Sequence, residues 1–117
     1  MTRDETLNLE GLELRKAVAE ARRLRIVVVV DPEVVGVYLQ GGGDCPAFES
    51  DMNAAWPLID QIGPTSFRRM RLSRDKVRLH LYWRGGTEEP DFSLEASGKS
   101  DPEAICRAYL MAKEMAI

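Results

Sequence analysis

The clearest pattern in the chain is a strict alternation of apolar and polar residues in its second half. The alternating residues are, in order, Val77, Arg78, Leu79, His80, Leu81, Tyr82, Trp83 and Arg84. A period of two predicts a β-strand with one buried and one polar face. Residues 67–72 are predicted to be its hairpin partner across 73–76, and residues 91–96 a third strand. Together they predict an antiparallel meander.

A helical period and a β-branched run precede this meander. Residues 9–24 carry apolar side chains at helical spacing, with Asn8 as the predicted N-cap and Gly11 weakening the first turn. Residues 26–30 are all isoleucine or valine, which favours a strand covered on both faces. Residues 31–33 can turn the chain into a second strand over 34–40, where Gly36 is expected to mark a bulge.

Two further helices are predicted on either side of the meander. The first follows Ser50 or Asp51 as N-cap, and Pro57 within it is expected to kink it or delay its start. The last follows Ser100 or Asp101, with Pro102 suited to its first helical position. Its apolar residues leave only a narrow polar strip, so we expect burial on more than one side and a dimer formed through this helix. The residues of that polar strip are Arg107, Lys113 and Glu114.

The elements together predict one α/β domain over residues 1–117. The fold expected from the periodicities is an α/β sandwich, with a mixed or antiparallel sheet of about five strands and three helices. A chain of 117 residues with 44% hydrophobic and 30% charged residues is long enough for one core. The first unit, 1–47, supplies a helix and a hairpin, and the second, 48–117, supplies the rest.

Charge and cysteine usage narrow the function classes. The net charge of −3 argues against a protein that binds nucleic acid by overall charge, although 12 of the 16 cations are arginine. Cys45 and Cys106 form no metal-binding or disulfide pattern. The first residues lack a signal-peptide pattern, and no apolar run is long enough to cross a bilayer. We therefore expect a cytoplasmic protein without a metal or another cofactor.

Two segments resemble the phage ABA sandwich domain, a family of small phage and prophage proteins. Residues 48–62 (FESDMNAAWPLIDQI) are similar to the family's aromatic-Ser-Thr/Ser-Asp and Ala-Ala-Trp motifs ahead of an apolar helix. Glu95-Ala96 and residues 101–110 (DPEAICRAYL) are similar to its strand ending in Glu-Ala, followed by Pro-x-Ala-Ile-Cys-Arg-Ala. The resemblance covers about 48–114. It implies α/β/α-type layers, a phage origin and, if phage-encoded, a place in the host bacterial cytoplasm.

The resemblance implies no activity, and the shared residues have structural interpretations. Asp51 is predicted to cap the helix that follows it, and Trp56 to pack that helix on the sheet. Arg107 is predicted to pair with Asp51 or Glu95 and so to hold the two helices together, with ligand binding as the alternative. Cys106 is predicted to be a buried, inert thiol.

The polar face of the meander is the candidate ligand-binding surface. Its predicted members are Arg69, Arg71, Arg78, His80, Tyr82 and Arg84. Arginine beside aromatic rings suits phosphates and bases. The alternative is a solvated face whose cations are balanced by Asp91 and Glu95. No residue near His80 forms a nucleophile motif, so no catalytic residue is predicted.

These observations predict a non-enzymatic phage accessory or counter-defence protein. Its expected partner is a host protein or an anionic small molecule such as a nucleotide signal. Nucleic acid bound by the arginine-rich face is the alternative. We expect no membrane partner, and we expect the protein to form a homo-oligomer.

Overall fold

The computed structural model describes residues 3–30 and 35–115, which contain four helices and five strands. The helices are α1 (Arg3–Asn8), α2 (Gly11–Ala21), α3 (Met52–Ile62) and α4 (Asp101–Met115). The strands are β1 (Ile26–Val30), β2 (Val35–Leu39), β3 (Ser66–Ser73), β4 (Lys76–Trp83) and β5 (Phe92–Gly98). The α/β class and the five strands agree with the sequence prediction.

The five strands form two antiparallel sheets rather than one. β1 pairs with β2, and β3, β4 and β5 form a meander in that order. The free edge of β2 is covered by the chain that follows it, because Tyr38 bridges to Asp44 and the Cys45 N–H donates to the Val37 carbonyl. The glycine-rich stretch before Asp44 is therefore a turn that closes the small sheet. The edge of β2 is therefore not available for pairing with a strand of the meander.

The N-terminal region contains two helices where one was predicted. Asn8 is the last residue of α1 and does not cap α2, whose N-cap position is Glu10 without a side-chain hydrogen bond. Gly11 has φ +55°, in the left-handed region that glycine enters without steric penalty, and this divides the two helices. The guanidinium of Arg15 in α2 binds the Glu49 carboxylate and so ties this region to the second half of the chain.

The first hairpin and α3 follow their predictions with two differences. The β1–β2 register runs without interruption through Gly36, so the expected bulge is absent from the described pairs. A Cβ at Gly36 would lie 2.9 Å from the Tyr38 ring, so a larger residue here would require that ring to move. The turn at 31–34 lies outside the described residues. α3 begins at Met52 and continues through Pro57, so the proline does not delay its start.

α4 is the centre of the core. Every residue from 104 to 112 is buried, which covers the whole circumference of the helix. It packs against β4 and β5 on one side and against α1, α2 and α3 on the others. Ser100 caps it, with its hydroxyl accepting from the Glu103 N–H at 3.5 Å. The apolar surface that suggested a dimer is thus occupied within the chain, and the oligomeric state stays a prediction.

The meander has one covered and one open face. Val77, Leu79 and Leu81 of β4 are buried beneath the helices. β3 lies at the edge, and all eight of its residues are exposed. The helices therefore cover β4 and β5 and leave β3 and the arginine-bearing face accessible. None of the helices in the described ranges is long and apolar enough to cross a membrane.

Candidate functional site

The alternation in β4 positions the candidate side chains as predicted. Val77, Leu79 and Leu81 point into the core, so the residues between them point to the opposite face. Arg78 and His80 lie on this outer face, with His80 exposed and Arg78 partly exposed. The outer face is open to solvent and can meet a ligand without rearrangement of the helices.

The strand register corrects the choice of neighbouring arginines. Arg69 pairs with Leu79 and Arg71 with Val77, so both arginines lie on the side of the helices. The prediction that Arg69 and Arg71 accompany Arg78 is wrong. Arg68 instead pairs with His80. Directly opposed residues share a face, and a shift of one residue exchanges the faces, which is why the alternation within β3 alone misassigned them.

Arg69 and Arg71 have structural partners on the helix side. The Arg69 Nε donates to Asp101 Oδ1 at 2.6 Å and so connects the edge strand to the start of α4. Arg71 donates to the carbonyls of Ser73 and Arg74 at 3.4 Å. These bonds support the hairpin, and both guanidinium groups keep donors in reserve because each has five N–H groups.

The outer face forms a shallow depression at the centre of the meander. It has a volume of about 140 Å³ and is lined by Arg68, Met70, Arg78, His80 and Glu95. Glu95 is placed there because it pairs with His80. Within the described part of the chain, the guanidinium groups of Arg68 and Arg78 have no ion-pair or hydrogen-bond partner. Two unpaired cations thus stand beside one carboxylate.

Tyr82 and Arg84 lie away from this depression. The Tyr82 hydroxyl donates to Asp91 Oδ2 at 2.5 Å, and the Gly85 N–H donates to Asp91 Oδ1 at 2.8 Å. The hydrogen bond to Tyr82 lowers the pKa of the Asp91 carboxyl, with a further contribution from Gly85, and the same bond raises the pKa of Tyr82. Arg84 follows the end of β4, about 20 Å along the strand from Arg78. The predicted set is therefore divided among three places.

The three predicted structural residues have different environments. Asp51 caps α3 by accepting from the Asn53 N–H at 2.9 Å, as predicted. Trp56 contacts the Phe67 ring edge-on but remains 46% exposed, so it is not a buried anchor. A tryptophan seated deeper on the helix side is Trp83, whose Nε1 donates to the Ile62 carbonyl.

Arg107 is buried and structural, but with other partners than predicted. Its guanidinium donates to the carbonyls of Ser97 and Leu9 at 2.9 Å and pairs with Glu103 at 2.9 Å. The prediction of Asp51 or Glu95 as its partner is wrong, because Glu103 lies one helical turn before Arg107 on the same face. Arg107 thus joins α4 to β5 and to the link between α1 and α2.

The described residues offer little for covalent or metal chemistry. Cys45 and Cys106 are both buried and free, and burial raises the pKa of each thiol. No group of three or more His, Cys, Asp or Glu residues that could hold a metal ion occurs in residues 3–30 and 35–115. His80 stands exposed beside cations and one carboxylate.

The surface around β3 is the feature that sequence reasoning missed. Six large hydrophobic side chains are exposed in the described chain, and all except Val27 belong to β3 or α3: Met52, Trp56, Phe67, Met70 and Leu72. We use the name β3 surface for these five side chains together with Arg68, Arg69 and Arg71. Trp56 and Phe67 are in ring contact, 5.7 Å between centroids, so the two elements contribute to one region.

The charge distribution singles out the same region. Residues 66–84 contain seven cations and one acidic residue, a net charge of +6 with His80 neutral. Since the whole chain has −3, the remainder carries −9. A count of charge over a short window would have found this basic hairpin, which the overall balance concealed.

Comparison with known proteins supports the fold. The chain is similar to the crystal structure of a phage protein from Bacillus cereus ATCC 14579, with a TM-score of 0.60 and 14% identity. The likeness covers 91% of this chain and 89% of that protein. No family model matches the chain, and no curated protein matches it in sequence. The shared fold is thus that of a phage protein, and membership of the ABA sandwich family stays a prediction.

Proposed function

We propose that this protein is a non-enzymatic, phage-type accessory protein that binds a host protein through the β3 surface. Membership of the phage ABA sandwich domain and a counter-defence role in the host cytoplasm belong to the same proposal. The fold shared with a Bacillus cereus phage protein supports the phage type.

The observation that carries the proposal is the composition of the β3 surface. Aromatic residues, methionine and arginine are enriched where proteins bind each other, and lysine, aspartate and glutamate are depleted. The β3 surface contains the exposed Trp56, Phe67 and Met70 beside three arginines. Phe67 lies on the helix side and Met70 on the outer face, so large apolar side chains are exposed on both faces of this edge strand. Exposed apolar patches of this kind mark surfaces that bind another protein.

The size of the outer depression weighs against capture of a small molecule. Sites that enclose a ligand of nucleotide size have volumes of about 300–1,000 Å³. The depression beside Arg78 and His80 has about 140 Å³ and is open. A flat surface of this kind suits a macromolecule better than a nucleotide signal.

Nucleic acid is the second candidate, favoured by the net charge of +6 over residues 66–84. A two-stranded β-ribbon can enter the major groove, and phosphate contacts would make the affinity fall steeply with salt. The aromatic residue of the outer face, Tyr82, is held by Asp91, which leaves it less free to stack on a base. We therefore rank protein binding first.

The proposal can be tested by native mass spectrometry of tagged protein purified from its host. We expect a protein partner with the wild type, and its loss with Arg68→Glu or Met70→Glu, which change exposed side chains. Arg25→Glu makes the same charge change as Arg68→Glu at an exposed position outside the β3 surface, and this variant should keep the partner. Copurification of nucleotide or nucleic acid alone, or loss of the partner with Arg25→Glu, would contradict the proposal.

A further inference from the structure

We propose that the partner docks by adding an acidic, extended strand to the free edge of β3. This inference rests on the proposed function and names the chemistry of the docking segment. An extended peptide that joins a sheet edge gains affinity from main-chain hydrogen bonds and specificity from its alternate side chains.

The edge of β3 is accessible, whereas the edges of β2 and β5 are contacted by other parts of the chain. β3 pairs with β4 alone, so alternate N–H and C=O groups of β3 point away from the sheet. By contrast, the edge of β2 is covered by residues 44–45, and the Ser97 carbonyl of β5 accepts from Arg107. The edge of β3 is therefore accessible and is also flanked by exposed apolar side chains.

The arginines of β3 specify an acidic partner because they lie on both faces of the strand. Arg68 is on the outer face, while Arg69 and Arg71 are on the helix side. A strand added at this edge would place its side chains beside these cations. Acidic residues at those positions gain from opposite charges across the pair, and basic ones are repelled. The one acidic residue of the hairpin, Asp75, lies in the turn.

The same charges argue against a second copy of this chain as the added strand. Two copies of β3 related by a two-fold axis would pair antiparallel. Residues on one face of β3 would then lie opposite residues on the same face of the second copy. Centring the pair on residue 69 places Arg69 opposite Arg69, and centring it on residue 70 places Arg69 opposite Arg71. Either register sets like charges directly opposite each other, which is destabilising.

The register of β3 gives the sequence of a probe peptide. An antiparallel strand needs acidic residues opposite Arg68, Arg69 and Arg71 and apolar residues opposite Phe67 and Met70. The capped peptide Thr-Glu-Val-Glu-Glu-Val-Thr meets this pattern. Two versions, each N-methylated at one set of alternate amides, keep its side chains and charge. In a strand added to β3, one set of amides faces the edge and the other faces solvent.

The experiment is an NMR titration of the isotope-labelled full chain with the three peptides. We expect the parent peptide to shift amides of β3. One methylated version should bind about tenfold more weakly, and the other should bind like the parent, since backbone hydrogen bonds are lost in only one. Arg25→Glu should titrate like wild type, and Arg68→Glu should weaken binding.

The outcomes separate this inference from the proposed function. Equal behaviour of the two methylated peptides would overturn strand addition, while the partner seen by native mass spectrometry could still depend on Arg68. Absence of shifts with the parent peptide would also overturn it. If a DNA duplex shifts the same amides at lower concentration than the peptide, nucleic acid is the better ligand and both proposals fail.

Discussion

α4 and β3 are at opposite extremes of burial, although both contain apolar residues and arginine. α4 buries Arg107 together with its neighbours, and β3 exposes Phe67 and Met70 together with Arg68. Residue type therefore does not decide burial in this chain. The decisive difference is position: α4 is surrounded by the other three helices and by the meander, while β3 forms the uncovered edge.

α4 and β3 should also differ in the property that their substitutions affect. Substitutions in and around α4 should change the free energy of unfolding, because they disturb bonds and packing within the chain. Substitutions of β3 side chains that have no partner within the described chain, such as Arg68 and Met70, should leave stability nearly unchanged and affect only the binding of a partner.

The same substitution at a buried and an exposed arginine gives the sharpest test. Arg107→Ala should lower the free energy of unfolding by about 3 kcal/mol, because it leaves the carbonyls of Ser97 and Leu9 and the Glu103 carboxylate without their partner. Arg68→Ala should change it by less than about 0.5 kcal/mol. Urea unfolding measures both. Similar losses at the two positions would contradict the claim that only the buried arginine stabilises the fold.

The contact between β5 and α4 should respond to a single methyl group. A Cβ at Gly98 would lie 2.7 Å from the Ala104 backbone nitrogen, so Gly98→Ala must separate the helix from the strand. We expect a loss of about 2 kcal/mol. A Cβ at Gly86 would have no atom within 4 Å, so Gly86→Ala is the matched control and should be close to neutral. Thermal unfolding of the two variants measures the difference. If Gly98→Ala were as stable as Gly86→Ala, the contact between β5 and α4 would be loose.

The smallest effect concerns the exposed hydrogen bond between Tyr82 and Asp91. Because the pKa of Asp91 is lowered in the folded chain, its carboxylate stabilises the fold above the ordinary carboxyl pKa, and this contribution is lost as the pH falls through the lowered value. Asp91→Asn should therefore lower the melting temperature slightly near neutral pH and have no effect in strong acid. Glu88→Gln, in the same loop, is the control and should leave the melting temperature unchanged. A constant difference across pH would contradict the assignment.

Local patterns were sufficient for the five strands, for α2, α3 and α4, and for the direction of many side chains, although they missed α1. The period of two in β4 separated Leu79 from His80, and the wide apolar surface of α4 indicated burial on several sides. The cap at Asp51 was also readable. Each of these properties depends on residues within a few positions of one another. Periodicity records such short-range relations directly.

Long-range relations had to come from the tertiary structure. The sequence pattern placed Arg69 and Arg71 on the outer face, and only the pairing with β4 showed that Arg68 belongs there. It suggested a pairing partner for Arg107 but could not identify Glu103, Ser97 and Leu9. A buried guanidinium donates to whichever oxygens the packed elements place within hydrogen-bond distance.

The residue pattern was sufficient for the class of the fold, for the order of the five strands with α2, α3 and α4, and for the concentration of positive charge in the β3–β4 hairpin. Only the tertiary structure decided that the strands divide into two sheets, that α4 is enclosed by its own chain, and that β3 remains a free edge. Periodicity distinguishes the two faces of an element. The strand that pairs with it and the helices that cover it depend on which distant segments pack against it in the folded chain.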